Sequence, residues 1–287
     1  MSNHSAYRTF VDRLSKTKDS VREKSTKKRK SLGLRTAREN LDDLVDPGSF
    51  LEFGAFAVAA QRNRRDYEEL QLETSADGIL TGFCNINEDE VGEDNSHAAA
   101  IIYDYSVLAG SQGFFHHQKL DRICEKAEEF SLPVVIFTEG GGGRPGDTDV
   151  TTQIAGLHIP SFSTWARLTG KCLKIAVNNG YCFAGNAVLF GCSDFMIATK
   201  QSWIGMAGPA MIEGGGLGVY DPKEIGPAEE QYKNGVLDYL AEDEKEATFI
   251  AKKLLSYFQG NLSDWSTDDQ TKLRDIIPED RRWAYPV

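Results

Sequence analysis

The chain reads as an α/β protein with mixed, largely parallel sheets, and three observations lead there. Short apolar runs alternate with amphipathic segments along most of its length, the pattern of strands separated by covering helices. The apolar runs are bounded by Gly, Pro, Asn and Asp, as buried strands are. With 287 residues, 40% of them hydrophobic and 26% charged, there is enough chain to bury a full core.

Each element follows from its own residues. Residues 5–31 place Phe10, Val11, Leu14 and Val21 as a thin apolar stripe on a charged helix that closes at Lys27-Lys28-Arg29-Lys30. Leu34, Ala37, Leu41, Leu44 and Val45 recur at helical spacing. Thr36 with Glu39 three later fits a capping box there, and a helix already begun at Leu34-Arg35 fits as well. Asp46-Pro47-Gly48-Ser49 stops that helix, and residues 50–53 begin an extended segment. Residues 61–76 form a surface loop or a short helix. Strands are expected over 79–86 and 98–107, with an acidic loop at 87–95 between them. Residues 114–130 are an amphipathic helix with Leu120, Ile123, Cys124 and Ala127 on its buried face.

Strand 132–138 then runs into Glu139 and four consecutive glycines, Gly140 to Gly143. Residues 150–168 are mostly helical, with Pro160 breaking or kinking the helix. Strands at 173–177 and 195–199 enclose residues 184–190, small residues leading into apolar ones, which suits the start of a buried helix. A second glycine-rich loop occupies 213–218. Helices follow at 228–234 and 242–258, the latter burying Ala247, Ile250, Ala251, Leu254 and Leu255. After Gly260 a mixed tail carries Trp265, Leu273, Ile276, Ile277, Pro278, Trp283 and Tyr285, and reads as a docking segment or a linker.

Composition narrows the function. No run of about 18 apolar residues appears, so no membrane span is expected. The N-terminus lacks the apolar core of a secretory signal. Five cysteines without a C-x-x-C pair disfavour a zinc knuckle and a disulfide framework, and point to a reducing, cytoplasmic setting. The net charge of −11 hides an asymmetry, because residues 1–35 hold eleven Lys or Arg against three acids. That basic arm either meets phosphates or is a solvated leader. The acidic body argues against nucleic acid as a partner.

Two stretches invite chemistry. Four glycines in a row cost backbone entropy and pack nothing. They make sense where dihedrals are unusual, where a ligand lies against the backbone, or in a flexible loop. No Gly-Lys-Ser/Thr follows, so a nucleotide P-loop is unsupported. The helix start at 184–190 leaves N–H groups without intrahelical partners, suited to an oxygen that becomes negative in a reaction.

Val177-Asn178-Asn179-Gly180-Tyr181-Cys182-Phe183-Ala184-Gly185, continuing to Leu189 and Cys192-Ser193-Asp194, resembles the crotonase superfamily. The segment 34–53, Asp77-Gly78, residues 104–111, residues 138–147 and Gly208-Pro209 resemble the carboxyltransferases of biotin-dependent acyl-CoA carboxylases. The match is co-linear over roughly residues 34 to 260. It implies a crotonase-like spiral of strand–strand–helix units, preceded by a basic helical leader at 1–33 and followed by a tail or linker at 261–287. It further implies the N-terminal, acyl-CoA-binding half of such an enzyme, working with a homologous C-terminal domain or subunit that binds carboxybiotin. Biotin on a biotin carboxyl carrier protein, a biotin carboxylase and a homo- or hetero-oligomer come with that reading. Nucleic acid, membrane and a metal in this domain do not.

By position in the motif, Gly185, with Ala184 beside it, supplies an N–H for the thioester oxygen. A second N–H is expected from Ala109-Gly110-Ser111, with Gly110 central. Gly141, Gly142 and Gly143 are expected to line the acyl-CoA pocket. Arg144 holds an anionic group or fixes its loop. Arg35 and Arg38, with Lys27 to Lys30, either meet CoA phosphates or are solvated. His116-His117 fit packing or surface roles better than metal binding, and Glu139 is either an acid or base or a structural anchor. Hydratases of the superfamily carry a catalytic Glu three residues after the oxyanion Gly. Val188 stands there, which disfavours hydration and suits carboxyl transfer, a reaction in which the resemblance leaves proton abstraction to biotin. Two other readings remain open: a subunit of a malonyl-thioester decarboxylase, and a non-catalytic acyl-CoA-binding or assembly subunit.

Overall fold

The computed structural model describes residues 3–150, 159–261, 266–276, 278–280 and 282. Nine strands lie among them: β1 Leu51–Phe53, β2 Ile79–Asn85, β3 His97–Tyr103, β4 Val134–Phe137, β5 Lys174–Asn178, β6 Tyr181–Phe183, β7 Phe195–Thr199, β8 Trp203–Gly205 and β9 Tyr239–Ala241. Seven form one sheet in the order β1-β2-β3-β4-β5-β7-β9. Pairing is antiparallel from β1 to β3 and parallel from β3 to β9.

The parallel part winds as repeated units of long strand, short extended segment and helix. The short segments stack in the same order as the long strands. Gln112 bridges Gly143, Gly140 bridges Cys182, β6 pairs with β8, and Trp203 bridges Pro227. This is the spiral that the resemblance implied.

Alternation along the buried strands sends side chains to opposite faces of the large sheet. On one face Ile101, Val134, Ile136 and Ala176 pack with Leu120, Ile123 and Phe190 from the helices Phe114–Phe130 and Gly185–Gly191. On the other, Ile102, Val135, Phe137, Ile175 and Val177 pack with Leu41, Leu44, Ala247 and Leu255 from Ala37–Leu44 and Glu244–Ser256. The capping box at Thr36 forms, and the helix begins at Ala37, leaving Leu34 and Arg35 outside it.

Several boundaries differ from the expectations. The helix expected over 5–31 is two, Asn3–Ser15 and Glu23–Ser31, because Arg22 between them turns inward to pair with Asp104 at 2.9 Å. Arg29 is likewise buried, 2.8 Å from Glu139, so the solvated reading of the leader fails for Arg22 and Arg29 and holds for its exposed Arg8, Lys18, Lys24, Lys27, Lys28 and Lys30. The strand expected to reach residue 107 stops at Tyr103, since Asp104 turns to accept from Ser106 and Arg22. The acidic segment holds two short helical turns, Glu88–Val91 and Glu93–Ser96. Pro160 precedes the helix Ser161–Arg167 and so starts it rather than kinking it. Residues 151–158 of that expected helix, and Trp265, Ile277, Trp283 and Tyr285 of the tail, lie outside the described residues. β6, β8 and β9 have three residues each, too few for a period to register in the sequence.

Candidate functional site

Three loops leave the C-terminal ends of the parallel strands β3, β4 and β5 on one side of the sheet, where α/β folds place their ligands. They are residues 104–113, 138–147 and 179–185, the stretches singled out from the sequence. They meet backbone to backbone. A Cβ on Gly110 would collide with the Glu139 carbonyl, and one on Gly140 with the Gly110 carbonyl and the Asn186 amide. Gly142, at φ 89°, lies against Ala184, and a Cβ there would sit 2.7 Å from the Ala184 methyl and 3.7 Å from the Gly185 nitrogen. Small residues are therefore required by packing between loops as well as by any ligand.

Asn186, fully buried, ties the three together. Its Oδ1 accepts from the Gly142 amide at 3.0 Å, and its Nδ2 donates to the carbonyls of Thr138 at 3.0 Å and Gly110 at 3.4 Å. Gln112 joins the first two with its backbone, accepting from the Arg144 amide at 2.9 Å and donating to the Gly142 carbonyl at 2.8 Å. Sequence reasoning missed both residues. The only signal was a polar residue inside an otherwise small and apolar run.

The amides expected to face a ligand are only partly available. The Gly110 amide donates to the Val107 carbonyl at 3.0 Å, and Ser111 donates to Leu108 at 3.3 Å. The cause is a left-handed turn, with Leu108, Ala109 and Gly110 at φ 48°, 57° and 62°. Gly110 is thus corrected from an oxyanion donor to a turn residue. The Ala184 amide is also engaged, to the Gly205 carbonyl at 3.2 Å. Gly185 opens its helix, so its own N–H has no intrahelical acceptor. In the glycine loop the amides of Gly140, Gly141 and Gly142 reach Tyr181 O, Ala109 O and Asn186 Oδ1. Gly143 faces open space, with nothing within 4 Å of where its Cβ would lie.

Of the arginines, Arg144 is buried and committed. It pairs with Asp77, donates to the Ser111 carbonyl at 2.7 Å and Ser111 Oγ at 3.2 Å, and lies 3.6 Å from Asp147. That is the loop-fixing role, and no guanidinium edge is left over for an anion. Arg38 grips both oxygens of Glu52, at 3.1 and 3.3 Å, and the Thr17 carbonyl at 2.8 Å, clamping the leader instead of meeting phosphate. Arg35 is partly exposed, pairs with Asp43 at 2.6 Å, and shares an open cleft with Lys30, Gly33, Leu34, Glu39 and Asp42.

Titratable groups around the loops are mostly held in the protein. Burial pushes the Glu139 carboxyl up to about 7, against the pull of Arg29 and with Glu244 and Asp104 adding to the rise. Burial lowers His117 to about 4 and His116 well below the usual imidazole range, with Arg144 adding to both. Both imidazoles are therefore neutral at pH 7. His117 Nδ1 bonds Ser161 Oγ at 2.9 Å, and His116 packs edge-on against Tyr103, the packing roles expected. Among the described residues no group of three or more His, Cys, Asp or Glu could hold a metal, and no helix is long and apolar enough to cross a membrane.

Comparison with known proteins agrees with this geometry. The chain is 31% identical over 275 residues to the methylmalonyl-CoA carboxyltransferase 12S subunit of Propionibacterium freudenreichii subsp. shermanii, covering 92% of this chain and 50% of that one. It is 28% identical to the biotin-dependent long chain acyl-coenzyme A carboxylase beta4 subunit of Mycobacterium tuberculosis, covering 96% and 52%. It spans about half the length of these relatives. Among solved structures, a single-chain, multi-domain long-chain acyl-CoA carboxylase superposes with a TM-score of 0.88 at 48% identity, over 99% of this chain and 28% of the other. The transcarboxylase 12S hexamer with hydrolysed methylmalonyl-coenzyme A bound follows at 0.76 and 27%, over 99% and 56%. The fold shared with these neighbours is crotonase-like α/β. The carboxyl transferase domain family matches residues 28–287, and with the glycine-lined junction of three strand-end loops in place, the chain belongs to that family.

Proposed function

We propose that this chain is the acyl-CoA-binding half of a biotin-dependent acyl-CoA carboxylase carboxyltransferase, and that it stabilises the enolate of the thioester with main-chain amides. The observation that carries the reading is the meeting of Gly142 with Ala184 and Gly185, beside the open Gly143. Gly142 O accepts from Gln112 N, and in the trans peptide that joins it to Gly143 the N–H points away from that carbonyl, to the side on which Gly142 meets Ala184. Gly143 therefore replaces Gly110 as the second donor. Each such N–H contributes roughly 3 kcal/mol to a transition state that places negative charge on the oxygen.

Among the described residues, the atoms nearest this niche fit a thioester and include no base. The nearest atoms to a Cβ at Gly142 or Gly185 belong to Phe183, Ala184, Gly185, Gln112 and Phe162, none of them a carboxylate or an imidazole. Val188 occupies the position of the hydratase acid. Bound carboxybiotin supplies the carboxyl group and the base. The protein's own part is to hold the acyl-CoA, polarise its carbonyl and keep the α-carbon facing the partner half. The domain division at 33 and 260, the biotin carrier and carboxylase partners, a cytoplasmic setting, and an oligomer like the transcarboxylase hexamer belong to this reading.

A decarboxylase subunit is the second reading, favoured by 25% identity to the methylmalonyl-CoA decarboxylase subunit alpha of Veillonella parvula. The test is to combine the chain with its C-terminal carboxyltransferase half and supply malonyl-CoA with and without free biotin. Carboxyl transfer to biotin supports the carboxylase reading, and biotin-independent release of carbon dioxide supports the other. Gly185→Ala forces the Gln112 side chain aside and is expected to lower transfer by about 100-fold. Wild-type turnover from the folded variant would sink the oxyanion assignment.

A further inference from the structure

Arg29 reaches from the helix Glu23–Ser31 across 110 positions of sequence to Glu139. Its Nη1 lies 3.0 Å from Oε1 and 2.8 Å from Oε2 of that carboxylate. Its Nε donates to the Arg35 carbonyl at 2.7 Å, its Nη2 is 3.5 Å from Glu244 Oε1, and its guanidinium carbon is 5.8 Å from the centre of the Tyr105 ring. No edge of the guanidinium is spare.

Glu139 is the residue from which the glycine loop departs. Its carboxylate lies where a Cβ on Gly180 would collide with it, and its carbonyl closes the space beside Gly110. The side chain is thus held between a guanidinium and the backbone of the neighbouring loop. The next residue, Gly140, donates to the Tyr181 carbonyl at 2.7 Å and accepts from the Phe183 amide at 3.0 Å. That pairing sets the register of the glycine loop against residues 181–185.

Charge shows what the grip depends on. In this buried cluster one guanidinium faces two carboxylates, Glu139 and Glu244, while Asp104 is matched by Arg22. Tyr105, Tyr181 and Cys182 are the other titratable groups that face Glu139. Without Arg29, two carboxylates remain with no cation between them, and Glu139 takes up a proton instead of staying charged. A neutral carboxyl presents one O–H donor and one carbonyl acceptor where it had presented two charged acceptors.

We propose that Arg29 is a positioning residue of the acyl-CoA pocket: by gripping Glu139 it holds the glycine loop in register with residues 181–185, and so sets where the Gly143 and Gly185 amides point. The inference deepens the acyl-CoA reading and rests on it. A segment outside the site in sequence, in the basic leader, is then part of how the site is built.

The test uses the full chain with acetyl-CoA as probe, titrated calorimetrically from about pH 5.5 to about 8.5, together with hydrogen exchange over residues 138–146 without ligand. Wild-type affinity is expected to rise with pH through about 7, as Glu139 ionises and takes up both contacts with Arg29. Arg29→Met is expected to bind about tenfold more weakly at pH 8, with a flat pH profile and faster exchange over 138–146. Glu139→Gln flattens the profile as well. Arg29→Lys keeps the charge without the fork, so it retains the profile at intermediate affinity. If Arg29→Met does not fold, Arg29→Lys and Glu139→Gln carry the test. Unchanged exchange in a folded Arg29→Met, or a wild-type pH profile in Arg29→Met or Glu139→Gln, overturns the proposal. A wild-type chain that binds no acetyl-CoA at any pH overturns the acyl-CoA reading instead, and the exchange measurement still decides whether Arg29 grips the loop.

Discussion

Ala184 holds a conformation that belongs to glycine. At φ 52° and ψ −122° its Cβ is strained against its own backbone. Its methyl also occupies the space a side chain on Gly142 would need, so the two positions cannot both be larger than glycine. Ala184→Gly is expected to raise stability by about 1 kcal/mol, the relief of strain outweighing the added entropy of the unfolded chain. A higher urea midpoint at unchanged slope is the result to look for. Arg144 gives the opposite case. Arg144→Met leaves Asp77 and Asp147 buried without their cation and is expected to cost about 3–5 kcal/mol. A folded, equally stable variant that loses only acyl-CoA affinity would return Arg144 to the ligand.

Elements here are completed by residues far from them in sequence. The helix Phe114–Phe130 has no capping side chain of its own at Gly113. Its first amides are taken by Asp147, 2.8 Å from Phe114 N, and by Asp77, 2.8 Å from His116 N. Both carboxylates also hold Arg144, so one network caps the helix and pins the loop after the glycines. Asp147→Ala is expected to lower stability by about 2 kcal/mol in denaturant titration, more than an exposed cap, because it also loosens Arg144. The same helix buries two neutral histidines. The His117 value of about 4 lies below its unfolded value, so stability is lost as pH falls from about 6.5 toward 4. A His117→Gln variant is expected to lose less on acidification, measured by melting temperature at the two ends of that range. The element list was largely legible from apolar runs and their breakers, and the capping box at Thr36 was legible from two residues. The network of Asp77 and the helix Phe114–Phe130 with Arg144 and Asp147, and the ties that Asn186 makes to Gly110, Thr138 and Gly142, were not, because their partners lie tens of positions apart and no local pattern marks them.

Across the whole molecule, the basic leader is joined to the acidic body by two buried pairs, Arg22 with Asp104 and Arg29 with Glu139. A chain beginning at residue 34 keeps both carboxylates and loses both cations. It is expected to melt roughly 10 °C or more below the full chain, or not to fold, as read by thermal denaturation. An unchanged melting temperature would restore the leader to a solvated arm. By itself the sequence determined the α/β class, most of the strands and the glycine-rich stretches, because periodicity, breakers and small residues act within a few positions of one another. It also reached the family, since motif residues keep their order and spacing along the chain. Only the tertiary structure decided which amides remain open, which arginines are already paired and which loop faces which. Those depend on partners tens to more than a hundred positions away, and a hydrogen bond spent inside the protein leaves no trace in the order of the residues.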